Sequence, residues 1–358
     1  MAQYSKYSEL SPQWTEVIKF ISRYPEVDKI NTVGIVDRRR ILDDIAAQVP
    51  DRELPEDVKE NALVVHTFTI EARDGHSIPV RSYVPTSDTS PNSRPVLVYL
   101  HSGGFLFGDL ESGDLYCRVL AARLDLSILN VNYRLAPEWP FPHGVNDSYD
   151  AVEWTAKHAK EHLRASPVAG FLVGGISSGA NFAGVIAYTA RDAGLSPPIT
   201  GLFISIPVAL MPKAYGLISD GWREQLLSLE QNGNAPLLTQ RSLAQIEEAY
   251  GAPADDLRIS YLLNEDHGGL PTRAYFQICG LDLLRDETFL WEKLLAKHSG
   301  TRSKIDLYSG LPHGFWRFLH LKASSDWLND LVEGFRFLLL PDEGSRVSEE
   351  AKLNVKGL

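Results

Sequence analysis

The chain has 358 residues, 44% of them hydrophobic, and a formal net charge of −11 from 35 Lys and Arg against 46 Asp and Glu. This is globular composition; it excludes a disordered chain, a collagen and a coiled coil, and the length allows two domains or one large domain with an insertion. The acidic balance argues against nucleic acid as a partner, because phosphate binding needs a basic face.

The first residues are polar and lack an apolar signal-peptide core, so an intracellular, cytoplasmic location is expected. Cys117 and Cys279 can form at most one bridge, which fits a reducing compartment. Residues 1–60 carry apolar positions at helical spacing, among them Trp14, Val17, Ile18, Ile21, Ile41 and Ile45. From Leu63 the pattern changes. Residues 64–70 and 78–84 read as two strands joined by a turn at Asp74-Gly75, and Pro79 inside the second suggests an edge position or a bulge.

Short apolar runs follow at 96–100, 128–131, 171–173, 202–206, 275–279 and 305–308. Parallel strands covered on both faces read this way. Helical patterns near 115–123, 149–162, 180–193, 287–297 and 327–340 alternate with them. The alternation predicts an α/β fold, a mostly parallel central sheet with helices on both faces. Residues 207–258 break the rhythm with Pro, Gly and polar clusters and read as an insertion, with helical hints only at 223–229 and 241–250. The tail after Pro341 is polar and is expected to be mobile. The longest near-apolar stretch, 201–211, is too short to span a bilayer.

The sharpest local motif is Gly175-Ile176-Ser177-Ser178-Gly179, a G-x-S-x-G between an apolar run and a helical pattern. A nucleophile on a sharp strand-to-helix turn is pushed clear of the sheet, and small neighbours permit the tight backbone. Upstream, His101-Ser102-Gly103-Gly104 directly follows the run at 96–100. Consecutive glycines let main-chain N–H groups face a site without Cβ obstruction, and such donors can hold an oxyanion. Asp282 and His313 each follow a later strand, in Gly-Leu-Asp and Leu-Pro-His-Gly. The order Ser177, Asp282, His313 is that of α/β hydrolases, and parallel strands deliver all three to one sheet edge. Asp286, four residues on, is the rival carboxylate; its place suggests a helix N-terminus.

Together these motifs resemble the hormone-sensitive-lipase-like family of α/β hydrolases, in the style of its fungal members. Asn132-Tyr133-Arg134-Leu135-Ala136-Pro137-Glu138, Phe141-Pro142, Asp147 and the Leu-Arg-Asp-Glu run at 284–287 add to the match, which covers about residues 62–340. The resemblance implies an α/β-hydrolase fold with a helical cap, Ser177 as nucleophile, Asp282 and His313 as its partners, and Gly103, Gly104 and Ser178 as oxyanion-hole donors. It also divides the chain: an N-terminal cap segment at 1–60, core at 61–206 and 259–340, a cap insertion at 207–258 and a tail at 341–358. Two positions depart from the family pattern: Ser102 within the HGGG-type loop, and Ile176, where an acidic residue is usual.

The implied activity is serine carboxylesterase chemistry on a small-molecule ester of short to medium acyl chain, in a biosynthetic context. An amidase or lyase on the same fold is the nearer alternative. A non-catalytic receptor is the distant one, disfavoured because such receptors lack the triad histidine. Phe105, Leu106 and Trp222 are candidate substrate contacts, with Tyr4, Tyr7, Trp14 and Tyr215 as further cap aromatics or cap packing. Arg134 is a candidate to pair with Asp147, and His101 to brace its loop. No cofactor is implied, no nucleotide motif is present, and no metal site is expected from the histidines. A second copy of the chain stays open as a partner.

Overall fold

The computed structural model describes residues 3–21, 33, 34, 37, 39, 54–58, 62–318, 321–341 and 352–356. Much of the segment 1–60, including Ile41 and Ile45, therefore lies outside the described residues.

Among the described residues nine strands form one sheet in the order β1-β2-β4-β3-β5-β6-β7-β8-β9. They are β1 (Leu63–Glu71), β2 (Ser77–Pro85), β3 (Val96–Leu100), β4 (Ser127–Val131), β5 (Phe171–Ile176), β6 (Gly201–Ser205), β7 (Arg273–Cys279), β8 (Arg302–Tyr308) and β9 (Lys352–Lys356). The first three in spatial order pair antiparallel, and every pairing from β4 to β9 is parallel. Each apolar run of the sequence is a strand whose residues are all or nearly all buried, because helices cover both faces.

Among the described residues the α-helices are α1 (Pro12–Ile21), α2 (Asp114–Leu124), α3 (His143–His162), α4 (Ser178–Asp192), α5 (Asp220–Arg223), α6 (Ser228–Gln231), α7 (Gln240–Tyr250), α8 (Arg285–Ser299) and α9 (Lys322–Leu338). Side-chain alternation along the strands sorts the core into two layers. Val96, Val98 and Leu100 of β3 join the layer that holds Val145 of α3, Phe182 of α4 and Trp291 of α8. Leu97 and Tyr99 join Leu120 of α2 and Trp327 of α9 on the opposite face, with Trp14 and Val17 of α1. No described helix is long and apolar enough to cross a membrane.

Two expectations need correction. Pro79 is not on an edge strand: β2 lies between β1 and β4. The β2–β4 ladder begins at Val80, and Pro79 sits just past it, where its carbonyl accepts from Asn132 N at 3.0 Å and no donor is required of its own nitrogen. The polar tail is not without structure either. Residues 352–356 form β9, in parallel register with β8 from Lys304 to Tyr308. Asn354 Nδ2 donates to Asp306 Oδ1 at 3.0 Å, and Lys356 Nζ to Asp330 Oδ1 at 2.8 Å. An edge strand needs apolar residues on neither face, so the run-of-apolars signal is absent there.

Candidate active site

The parallel strands end along one edge of the sheet, and the loops that leave them carry the site. Ser177 follows β5 and caps α4 with φ 56° and ψ −115°, a left-handed conformation that a non-glycine residue adopts only when its surroundings enforce it. The flanking glycines make the turn feasible. A Cβ on Gly175 would stand 2.3 Å from Leu100 O, and one on Gly179 would stand 2.1 Å from the same oxygen. Ser177 N donates to Ser205 O at 2.8 Å, which extends the sheet bonding to the elbow itself. The result is a half-exposed serine between buried neighbours.

His313 follows β8, and its Nε2 lies 3.0 Å from Ser177 Oγ. Its Nδ1 lies 2.7 Å from Oδ2 of Asp282, which follows β7 and is 2% exposed. The other carboxylate oxygen of Asp282 accepts from Leu284 N at 3.0 Å. An imidazole held by a buried carboxylate through one nitrogen and facing a serine hydroxyl through the other can take up the hydroxyl proton and return it. The described N-terminal segment props these loops from behind. Gly310 N donates to Tyr7 O at 2.8 Å, Ser11 N to Gly310 O at 3.0 Å, and Arg285 Nη1 to Ser8 Oγ at 2.7 Å.

Asp286, the rival carboxylate, is turned away from this relay. It accepts from Leu227 N at 3.0 Å and Ser228 N at 2.8 Å, and pairs with Arg285 Nε at 2.8 Å. Glu287 is likewise occupied: its Oε2 accepts from Ala209 N and Leu210 N, and its Oε1 from Tyr215 OH at 2.9 Å. Burial pushes the Glu287 carboxyl up to about 8, against the pull of those three donors.

Gly103 and Gly104 leave β3 with φ 138° and 60°. Gly103 O accepts from Leu106 N and Phe107 N at 3.1 and 3.0 Å, which winds the loop back on itself. A Cβ on Gly103 would fall 1.9 Å from Phe107 O, so only glycine fits. His101 stacks on Tyr133 with centroids 4.1 Å apart, and its Nδ1 lies 2.8 Å from Ser102 O. Burial pulls its pKa down to about 4, so the ring braces the loop as a neutral group. Ser178 N opens α4 beside the elbow, and its Oγ lies 3.4 Å from Tyr133 OH. Arg134 meets Asp147 through two side-chain bonds of 2.6 and 2.9 Å, with its own N–H on the same carboxylate at 2.9 Å.

The expected substrate contacts fare unevenly. Phe105 is stacked on Tyr250 at 4.2 Å and tilted against Phe182 at 5.3 Å. Leu106 is fully buried, so its side chain offers no surface to a ligand; it is core packing. Trp222 lines a separate cavity of about 300 Å³ with Leu217, Ile218, Leu263, His267 and His298, and no relay residue borders it. Which cavity a side chain lines is not revealed by spacing within a Pro- and Gly-rich segment. Tyr4 stacks on Phe289 at 3.8 Å, and Trp14 is fully buried against Phe318, so both are packing.

Sequence reading missed Ile246 of α7, whose Cδ1 would stand 3.1 Å from a Cβ on Gly104, and so walls the glycine loop. It also missed Asn181, whose Nδ2 donates at 2.7 Å to both Val208 O and Ile259 O, tying together the two ends of the insertion. Asn232 reaches back from the insertion to Asp282 O at 2.8 Å. A helical pattern at 241–250 was the available signal for Ile246; nothing in the spacing marks Asn181 or Asn232.

Residues 97–317 match a family model described as the alpha/beta hydrolase fold. The chain belongs to this family, the hormone-sensitive-lipase-like α/β hydrolases. It is 30% identical over 338 residues to an AB hydrolase superfamily protein of Schizosaccharomyces pombe, covering 93% of this chain and 95% of that one. It is 31% identical over 299 residues to the esterase LipI of Mycobacterium tuberculosis, covering 81% and 88%. Among solved structures, vibralactone cyclase superposes with a TM-score of 0.78 at 26% identity, over 93% of this chain and 96% of that one. The protein is an esterase-type α/β hydrolase, an enzyme of carboxylic ester bonds.

Proposed function

We propose that this hydrolase cleaves small-molecule esters of short to medium acyl chain through a Ser177–His313–Asp282 triad and an acyl-enzyme. The observation that carries the reading is the continuous relay of 3.0 Å and 2.7 Å from Ser177 Oγ through the imidazole to Asp282. His313 takes the Ser177 proton as Oγ attacks the ester carbonyl, then passes it to the leaving alcohol. Water, deprotonated by His313, releases the acid and restores Ser177. Asp282 fixes the tautomer and stabilises the imidazolium. The N–H groups of Gly103, Gly104 and Ser178 hold the oxyanion; one such donor lowers the barrier by about 3 kcal/mol. No step calls on a cofactor.

Ile246 against Gly104, and the Phe105–Tyr250–Phe182 stack beside it, support a short acyl pocket whose cap wall is the insertion 207–258. The likeness to a vibralactone cyclase favours one second reading: a hydroxyl of the same substrate, rather than water, captures the acyl group and closes a ring. Both readings use the same acyl-enzyme.

A p-nitrophenyl ester series from acetate to palmitate, run beside an activated phosphonate probe read by mass spectrometry, tests the proposal. The expected result is a maximum at short or medium chains, a single adduct on Ser177, and loss of about 10⁶-fold in kcat for Ser177→Ala with the fold intact. Ser178→Ala keeps substantial activity, because its part is played by the backbone. Preference for palmitate overturns the acyl assignment, and an adduct elsewhere overturns the nucleophile.

A further inference from the structure

Helix α3 carries a feature that ester hydrolysis does not use. His158, Glu161 and His162 stand at positions i, i+3 and i+4, in His-Ala-Lys-Glu-His, and so share one face of the helix. One ligand atom from each lies within 4.8 Å of the other two. No metal site is expected from the histidines at the level of sequence, but the His-x₃-His spacing is in the sequence, on a helix read only as scaffold. It is the one such group among the described residues. Helix α3 runs from the carboxyl end of β4 back to the start of β5, so its last turn lies at the sheet edge opposite Ser177.

We propose that His158, Glu161 and His162 form a binding site for a divalent transition-metal ion of the Zn²⁺, Ni²⁺ and Cu²⁺ class. Three arguments carry it. The first is donor chemistry. Two imidazole nitrogens and one carboxylate oxygen suit these ions and not Mg²⁺ or Ca²⁺, which prefer all-oxygen shells.

The second is reach. Bonds of about 2.1 Å around a tetrahedral ion place ligand atoms roughly 3.4 Å apart. The present separations need to close by little more than an ångström. His162 and Glu161 are 46% and 79% exposed, which leaves them room to make this adjustment. The Glu161 carboxylate already leans toward His162, at 3.9 Å from Nε2.

The third is the field. His162 is the last residue of α3, where unpaired carbonyls make the helix end partly negative and favour a cation. Remaining coordination positions are open to water. Bound there, the ion clips the final turn of the helix and stabilises the folded chain by mass action.

The site carries its own reporter. The Trp154 ring lies 5.2 Å from the rings of both His158 and His162. Phe68 of β1 packs on Trp154 at 5.6 Å, which holds the indole in place. Cu²⁺ or Ni²⁺ bound by the two imidazoles will quench this indole selectively among the chain's seven tryptophans.

The experiment uses the full chain without a histidine tag. Calorimetric titration with Zn²⁺ is expected to show one ion per chain. His158→Gln and His162→Gln are each expected to weaken it at least about tenfold, since even an outer-shell partner is worth that much. His66→Gln, a histidine on the neighbouring strand, is expected to bind as the wild type does. Ni²⁺ is expected to quench emission in the wild type and not in Trp154→Phe, although that variant still binds Zn²⁺ by calorimetry. Mg²⁺ at equal concentration is expected to change neither signal. Circular dichroism confirms that each variant is folded. Absence of Zn²⁺ heat in the wild type, undiminished binding in the His158→Gln/His162→Gln double variant, or equal displacement by Mg²⁺ overturns the assignment. None of these readouts involves ester hydrolysis.

Discussion

The elbow edge of the sheet and the segment 207–258 that follows β6 are built by different means. At the edge, backbone sterics do the positioning. Ser177 is forced to φ 56° between Gly175 and Gly179, neither of which has room for a Cβ. Gly103 is confined in the same way against Phe107 O. The insertion is instead tethered by buried side chains of the core: Asn181 at its two ends, Glu287 at Ala209, Leu210 and Tyr215, and Asp286 at Leu227 and Ser228. A site defined by close backbone contact tolerates almost no change, whereas a tethered segment can be re-tied. Under the proposed mechanism the first region would carry the catalytic groups and the second would be free to adjust specificity.

That division can be broken or sharpened by substitution. The largest effect belongs to the relay. Asp282→Asn is expected to lower kcat about 10⁴-fold, by presenting the wrong partner to the His313 ring. Asp286→Asn should cost less than about tenfold in rate and show its loss in thermal stability instead, where a severed buried pair is felt. A reversal of the two in steady-state assays would move the acid to Asp286.

Next comes the glycine loop. Gly103→Ala drives a methyl group into Phe107 O and should lower kcat by about 10²- to 10³-fold, the scale of one lost oxyanion donor. An alanine variant with wild-type kcat would remove Gly103 from the oxyanion hole.

Asn181→Ala tests the tethered region. It leaves Val208 O and Ile259 O without their donor, and unfolding in denaturant should show a loss of about 1–3 kcal/mol. The phosphonate should still label Ser177, while KM rises more than kcat falls. Loss of labelling in a folded Asn181→Ala chain would show that the elbow itself depends on the tether.

The last test is in pH dependence, where stability rather than rate is read. The folded chain holds the Glu287 proton to about 8, against 4.5 for a free carboxyl. The stability this group adds is therefore full below pH 4.5 and is lost as the pH rises through about 8. His101 works the other way. Its contribution is full above pH 6.5 and is lost as the pH falls toward 4. Glu287→Gln should flatten the alkaline side of a stability-against-pH curve and leave the acidic side in place; an unaltered alkaline side would mean that Glu287 is ionised throughout.

The same contrast explains what was legible in the sequence. Strands buried on both faces announce themselves as apolar runs, and β3 falls on residues 96–100 as read. The serine elbow and the order of Ser177, Asp282 and His313 were readable because the chemistry needs small residues at fixed offsets. Ile246 and Asn181 were not, because which way an insertion helix faces depends on tertiary packing rather than on local pattern. Trp222 was misplaced for that reason. Strand β9 was missed because Lys-Leu-Asn-Val-Lys, half-exposed at an edge, lacks a buried strand's composition.

That strand bears on how the molecule coexists with its neighbours in a crowded solution. Without it, β8 would present an open row of N–H and C=O groups along Arg302–Tyr308, a template on which another chain could pair. With it, the outermost strand is five residues long and begins and ends in lysine, a short and charged border that repels strand addition. A chain trimmed before residue 352 would expose the longer β8 and invite self-association, although Ser177, His313 and Asp282 lie outside the trimmed segment.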